Sequence, residues 1–208
     1  MNTTDVLFAG FGGHGMLLAG KLLAQAAVNR GLQVSWLPAY GAEMRGGTAN
    51  VTVCMSGSRV ASPYIEHPAS LVVMNTPSLL KYGPKVKKGG LIVINTTLAR
   101  EPWTREDCPV LSLPAGDMAR EVGAWKSTNL VLLGAWAGYT GVLSRDAIVE
   151  TIEEQFSMKH AVMNANVAAF DTGFRQGATA RPAPGMANEV DSRTLDRGNA
   201  HLDHRTAR

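Results

Sequence analysis

The segment VLFAGFGGHGMLLAGKLLA, Val6 to Ala24, restricts the fold more than any other stretch of the chain. Val6, Leu7, Phe8 and Ala9 form a short apolar run, the pattern of a strand buried on both faces. Gly10, Gly12 and Gly15 follow in G-x-G-x-x-G spacing, and an apolar helix is expected from about His14 to Arg30. Strand, glycine turn and helix in that order open a parallel α/β unit. The glycines allow a sharp turn and the close approach of an anion to the helix's N–H groups. They equally allow a helix to pack tightly on a strand, so both readings stand at this point.

A dinucleotide site makes a further demand. It requires a carboxylate about 20 residues on, at the end of the second strand, to hold the ribose hydroxyls. The second strand is expected at Gln33 to Leu37, running into Pro38, Ala39 and Tyr40, and no Asp or Glu lies between Asp5 and Glu43. Arg30 precedes that strand and is badly placed for a 2′-phosphate.

Along the rest of the chain, apolar runs alternate with helical patterns. TANVTVCMS (Thr48 to Ser56), SLVVMN (Ser70 to Asn75), GLIVIN (Gly90 to Asn95) and Val110 to Leu113 read as strands. A helix starts at Thr76-Pro77, and a short one follows Leu113. STNLVLLGAWAGYTG predicts a helix, capped by Ser127 or Thr128, that is apolar on every side and therefore buried. Ser144 caps the next helix, and a final one is expected over about Met158 to Phe174. This order predicts one three-layer α/β/α domain with a mostly parallel sheet over residues 1–176, and a flexible, disordered polar tail over 177–208. Right-handed crossovers bring the glycine loop, Asn75 and Asn95 to the carboxyl edge of the sheet, where ligands bind in such folds.

Several function classes are disfavoured. The net charge of the 208 residues is +3, with basic residues scattered rather than gathered in a stripe, which speaks against nucleic acid. Two cysteines, Cys54 and Cys108, fall short of the roughly four soft ligands of a zinc or iron–sulfur site, so no metal site is expected here. MNTTDV resembles no signal peptide, and no run approaches the roughly 20 apolar residues of a membrane span. A cytoplasmic protein without membrane contact is expected.

PAYGAEMRGGTANVTV, Pro38 to Val53, is the most informative stretch after the first. It sets Gly41, Gly46 and Gly47 around one acid, Glu43, and one base, Arg45. By itself this is a bulged hairpin with a surface ion pair, or a loop packed very close to something else. Together with GFGGHGMLLAGKLLAQAA, ASPYIEHPASLVVMN and STNLVLLGA, it resembles the gamma subunit of 2-oxoacid:ferredoxin oxidoreductases, from about Val6 to Phe174. The same unit occurs as a domain of single-chain pyruvate:ferredoxin oxidoreductases. YGAEMRGG is most similar to the 2-oxoglutarate and branched-chain 2-oxoacid members.

The resemblance implies a part in oxidative decarboxylation of a 2-oxoacid with coenzyme A, giving acyl-CoA, carbon dioxide and electrons for ferredoxin. It implies thiamine diphosphate, magnesium and iron–sulfur clusters in alpha, beta and possibly ferredoxin-like delta partners, with none of these bound by this chain alone. AGDMA has Met118 where a thiamine-type G-D-G turn needs glycine, and no catalytic residue is expected here. Coenzyme A or interface candidates are Gly10, Gly12, Gly13, His14, Gly15, Glu43, Arg45, Gly46, Gly47 and Asn129.

A helix N-terminus and Arg45 suit the phosphates of coenzyme A. His14 reads as a polar interface contact or a base whose proton affinity the helix start lowers. Lys21 and the Lys85, Lys87, Lys88 run read as solvated, and Trp103, Trp125 and Trp136 as core or partner packing. Lys126 to Asn129 form a cap or an anion contact. The alternative is a self-sufficient Rossmann-like nucleotide-binding protein.

Overall fold

The computed structural model describes residues 3–41, 47–58, 60 and 62–182. Six strands, β1 (Thr4–Phe11), β2 (Gln33–Tyr40), β3 (Thr48–Ser56), β4 (Ser70–Val73), β5 (Leu91–Asn95) and β6 (Val110–Leu113), form one sheet in the order β2-β3-β1-β4-β5-β6. β1, β4, β5 and β6 pair in parallel. β3 is antiparallel to both β1 and β2, so it alone runs against the others. The sheet is therefore mostly parallel, as expected.

Six helices flank it: α1 (Met16–Asn29), α2 (Thr76–Tyr82), α3 (Ala115–Glu121), α4 (Thr128–Thr140), α5 (Arg145–Phe156) and α6 (His160–Ala180). One face of the sheet buries Val6, Phe8, Val53, Val72 and Val93 with α1, α3, α4, α5 and α6. The other buries Leu7, Ala9, Leu71, Ile92 and Ile94 under Leu79 of α2 and the side chains of Val86, Trp103 and Cys108. The three layers are thus unequal, with one helix on the thin side.

Crossover α1 carries the chain from β1 to the sheet edge, and β3 returns into the gap between β1 and β2. The hairpin reading of Pro38 to Val53 holds for its stem: Tyr40 pairs with Ala49, and Gly41 N–H donates to the Thr48 carbonyl at 2.7 Å. β2 runs three residues past its expected end because an edge strand tolerates Pro38. α1 begins at Met16 rather than His14, since Gly15 takes a left-handed conformation (φ 72°) at its N-cap. Ser144 caps α5 as expected, its hydroxyl accepting from Ala147 N–H.

The wholly apolar α4 is buried inside the domain, against the sheet and α6. Four glycines make that contact possible. A Cβ at Gly134 or Gly138 would lie about 2.1–2.2 Å from the carbonyl oxygens of Phe170 and Phe174. One at Gly173 or Gly177 would lie about 1.8–2.0 Å from those of Val131 and Ala135. This corrects the expected end of the final helix near Phe174. Gly177 does not end the helix; it seats the helix on α4, and α6 continues to Ala180. The rest of the expected tail, 183–208, lies outside the described residues. A chain ending at Gln176 should melt several degrees below one ending at Pro182, because it lacks the last helical turn against α4. Equal melting temperatures in a thermal scan would show that this turn contributes nothing.

Candidate functional site

α1 leads from β1 toward one sheet edge while β4 lies on β1's other side, so the crevice at the carboxyl ends of β1 and β4 is the switch point of the sheet. The glycine loop opens into it. Gly12 and Gly13 are exposed, and Gly12 N–H donates to the buried Gly47 carbonyl at 2.9 Å, which joins the loop to the base of the hairpin. Gly13 (φ 91°) and Gly15 both occupy conformations that L side chains rarely adopt. Gly10 lies under Met74 and Met16, at distances of 3.0 and 3.1 Å from an added Cβ. Tight packing of α1 on the sheet comes from a different glycine: a Cβ at Gly20 would strike Val51 at 2.5 Å.

Asn129 is 3% exposed, and its amide Nδ2 donates to the Gly15 carbonyl at 2.9 Å. It is a strut between α4 and the loop. Among the described residues no side chain caps α1, and no acid sits in its first turn to offset the helix's positive end. His14 N–H donates to the Phe11 carbonyl (3.1 Å), and Phe11 N–H donates to His14 Nδ1 (3.2 Å). Burial pushes the His14 pKa below its ordinary value. Burial is the cause, rather than the helix start, which lies two residues on.

Gly13 and His14 form one wall of a cleft of about 480 Å³. Asn95 and Thr97 lie beneath it, and Arg120, Trp125, Lys126 and Thr128 close the other side. Asn95, fully buried, donates from Nδ2 to the Met74 carbonyl (3.3 Å) and accepts at Oδ1 from Thr97 N–H and Gly116 N–H (3.3 Å each). One amide thus ties the ends of β4 and β5 to the start of α3. Thr97 Oγ1 donates to Asp117 Oδ2 at 3.0 Å, and Asp117 also pairs with Arg120. The Lys126 ammonium sits 4.7 Å from the centroid of the Trp125 ring. The cleft therefore has a neutral, rigid floor, two cations at its rim and an indole that is 66% exposed.

The expected site residues divide accordingly. Gly13 and His14 line the cleft, Gly12 and Gly47 brace the loop, and Gly10, Gly15 and Asn129 shape it from behind. Glu43, Arg45 and Gly46 lie outside the described residues. Of the two strand-end asparagines only Asn95 reaches the cleft; Asn75 caps α2, accepting from Ser78 N–H. Trp103 and Trp136 are packing residues, whereas Trp125 is no core residue and stands at the rim. Thr97 and Arg120 carry no expectation from the sequence, and Trp125, expected as core or partner packing, lines the cleft. Their only local signals are the polar N-x-T at the end of β5 and the Trp-Lys pair ahead of the buried helix.

The dinucleotide geometry is not reproduced. The strand beside β1 on the α1 side is β3, which begins at this edge, so no parallel strand end stands there to offer a ribose carboxylate. No group of three or more metal-binding side chains occurs among the described residues, and none of their helices is long and apolar enough to cross a membrane.

The family model described as pyruvate ferredoxin/flavodoxin oxidoreductase matches residues 5–176, and the chain belongs to that family. The gamma subunit common to the pyruvate and ketoisovalerate oxidoreductases of Thermococcus litoralis is 28% identical over 171 residues, covering 79% of this chain and 92% of that one. The ketoisovalerate oxidoreductase subunit VorA of Methanothermobacter marburgensis is 38% identical over 170 residues, covering 81% of this chain but 35% of VorA. The chain thus spans about a third of the length of that relative. The gamma subunit of a keto/oxoacid ferredoxin oxidoreductase from Geobacter sulfurreducens superposes with a TM-score of 0.73 at 26% identity, covering 85% of this chain and 99% of that one. The 2-oxoglutarate:ferredoxin oxidoreductase of Magnetococcus marinus, solved with 2-oxoglutarate, coenzyme A and succinyl-CoA bound, shares the fold. Its TM-score is 0.79 at 24% identity, over 86% of this chain and 32% of that one.

Proposed function

We propose that this chain works within a multi-subunit 2-oxoacid:ferredoxin oxidoreductase and that its cleft holds part of coenzyme A. The reaction joins the acyl group of a 2-oxoacid to the thiol of coenzyme A, releases carbon dioxide and passes a pair of electrons to ferredoxin. A 2-oxoglutarate or branched-chain substrate agrees with the names of the relatives, and its side chain is read by partner subunits. Thiamine diphosphate, magnesium and iron–sulfur clusters belong to those alpha, beta and delta-type partners. The residues here do not fit them: Met118 breaks the thiamine turn, and both cysteines are buried structural thiols. Burial, reinforced by Asp5, holds the Cys54 thiol up at about 11, far from a thiolate ligand.

The observation that carries the coenzyme A reading is the make-up of the cleft. Arg120 and Lys126 suit phosphates, the exposed Trp125 face suits an adenine ring, and exposed glycine backbone lets a ligand approach closely. Its uncharged lining residues Asn95, Thr97 and Thr128 suit the uncharged parts of the molecule. Arg45 and Glu43, in the sequence between β2 and β3, are proposed as further contacts to coenzyme A or to the catalytic partner. The chain supplies binding and orientation, and the chemistry belongs to its partners.

The purified chain alone should show no 2-oxoacid-dependent dye reduction. Addition of its partner subunits should give coenzyme A-dependent activity. Turnover by the chain alone, or tight NAD binding by it, would favour a self-sufficient nucleotide-binding protein instead.

A further inference from the structure

The end of β1 presents a problem that the glycine loop solves in an unusual way. β4 pairs with β1 only as far as Val73 opposite Ala9, and Met74 N–H makes the last bond, to the Ala9 carbonyl. β1 continues to Phe11. Because successive residues of a strand point their N–H and carbonyl groups to opposite sides, Phe11 faces the side that β4 has vacated, while Gly12 faces Gly47. An N–H left there without an acceptor is costly. His14 fills the place of the missing strand residue twice. Its backbone N–H serves the Phe11 carbonyl, and its ring nitrogen Nδ1 accepts from Phe11 N–H.

That second bond fixes the state of the ring. Nδ1 accepts only when it carries no hydrogen, so the proton of the neutral ring sits on Nε2. Nε2 meets no hydrogen-bond partner among the described residues, and the ring lines the cleft. A doubly protonated ring would turn a second donor against Phe11 N–H, and the bond would fail. The surroundings oppose that charge as well. Among the described residues, those that line the cleft after β4, at and after the end of β5 and at the start of α4 are neutral (Met74, Asn95, Thr97, Thr128), while Arg120 and Lys126 are cations. The carboxylate of Asp117 is engaged by Arg120 and Thr97.

We propose that His14 is a proton-sensitive latch on the glycine loop. Neutral, it completes the ladder of β1 and presents Nε2–H to an acceptor atom of the ligand. Protonated, it releases Phe11, and the loop loses the shape that binds. It is a positioning residue that also gives a neutral hydrogen bond. The inference rests on the reading of the cleft as a coenzyme A site, but the state of the ring can be tested without that reading.

Two measurements decide it. In the full chain with 15N-labelled histidine, the His14 ring should show the Nε2–H tautomer at pH 7.5. The Phe11 amide should be slow to exchange at that pH and lose its protection as the ring titrates. In the assembled complex, coenzyme A affinity should be compared between wild type, His14→Gln and His14→Ala from pH 7.5 to 5.5. A carboxamide offers an acceptor and a donor but does not titrate, so His14→Gln should retain more affinity than His14→Ala. The ratio of wild-type to His14→Gln affinity should fall on acidification to pH 5.5 as the latched fraction shrinks, by less than the roughly tenfold an unshifted imidazole would give, because burial lowers the ring's proton affinity. Any titration of coenzyme A itself cancels in that ratio.

A ratio that stays level or rises would overturn the latch and make His14 a spacer or a cationic phosphate contact. An Nδ1–H tautomer, or Phe11 protection indifferent to pH, would overturn it directly. If no form binds coenzyme A while tautomer and protection behave as expected, the latch stands and the coenzyme A reading fails.

Discussion

Gly173→Ala is expected to lower the melting temperature of the chain by about 10 °C, a loss near 3 kcal/mol. The added methyl would sit 1.8 Å from the Val131 carbonyl oxygen and 3.0 Å from Ala135 N, both backbone atoms of α4. Side chains can change rotamer to make room, but a helix backbone cannot. α4 and α6 would have to separate, and with them Trp136 and Phe170, which are fully buried in the same core cluster. Gly123→Ala makes the control. It has a positive φ of 70° but nothing within 4 Å of the added atom, so its cost is confined to backbone conformation, about 1 kcal/mol. Melting curves of the two variants should therefore differ widely. If they coincide, backbone contact between the two helices does not set the stability of this layer.

That contact also marks the limit of what the sequence reveals. Local patterns identify strands well here: the β-branched alternation of Thr48 to Ser56 reads as a strand with the boundaries it has. The same residues carry no sign that β3 runs backward into the gap beside β1, because strand direction is set by partners far along the chain. Gly173 and Gly177 are ambiguous for a related reason. A glycine late in a helical pattern usually ends it, and only the presence of Gly134 and Gly138 across the interface turns these two into contact residues.

The cleft divides in the same way. Its glycine wall was visible because one contiguous motif builds it. Its opposite wall was not, because Thr97, Arg120 and Trp125 come from separate segments that only the sheet order brings together. Asn129 stands out in the sequence as a polar residue at the start of a buried helix, but its bond to Gly15, 114 residues away, leaves no local pattern.

The second large effect is expected at the rim. Arg120 is exposed, and its pairing with Asp117 is a surface ion pair three residues apart on α3, which contributes little to stability. Lys126 is likewise exposed, over the Trp125 ring. Replacing both by alanine should leave the melting temperature of the chain and its assembly with partner subunits nearly unchanged. A charge-assisted contact to phosphate is worth about 1.5–3 kcal/mol, reduced at an exposed rim by solvent. The pair together should account for about ten- to a hundredfold in affinity.

The most direct measurement is steady-state kinetics of the assembled complex carrying Arg120→Ala and Lys126→Ala together, with coenzyme A and the 2-oxoacid varied separately. The account predicts that the KM for coenzyme A rises by about ten- to a hundredfold while the KM for the 2-oxoacid stays within about twofold. An unchanged KM for coenzyme A in a fully assembled complex would contradict it.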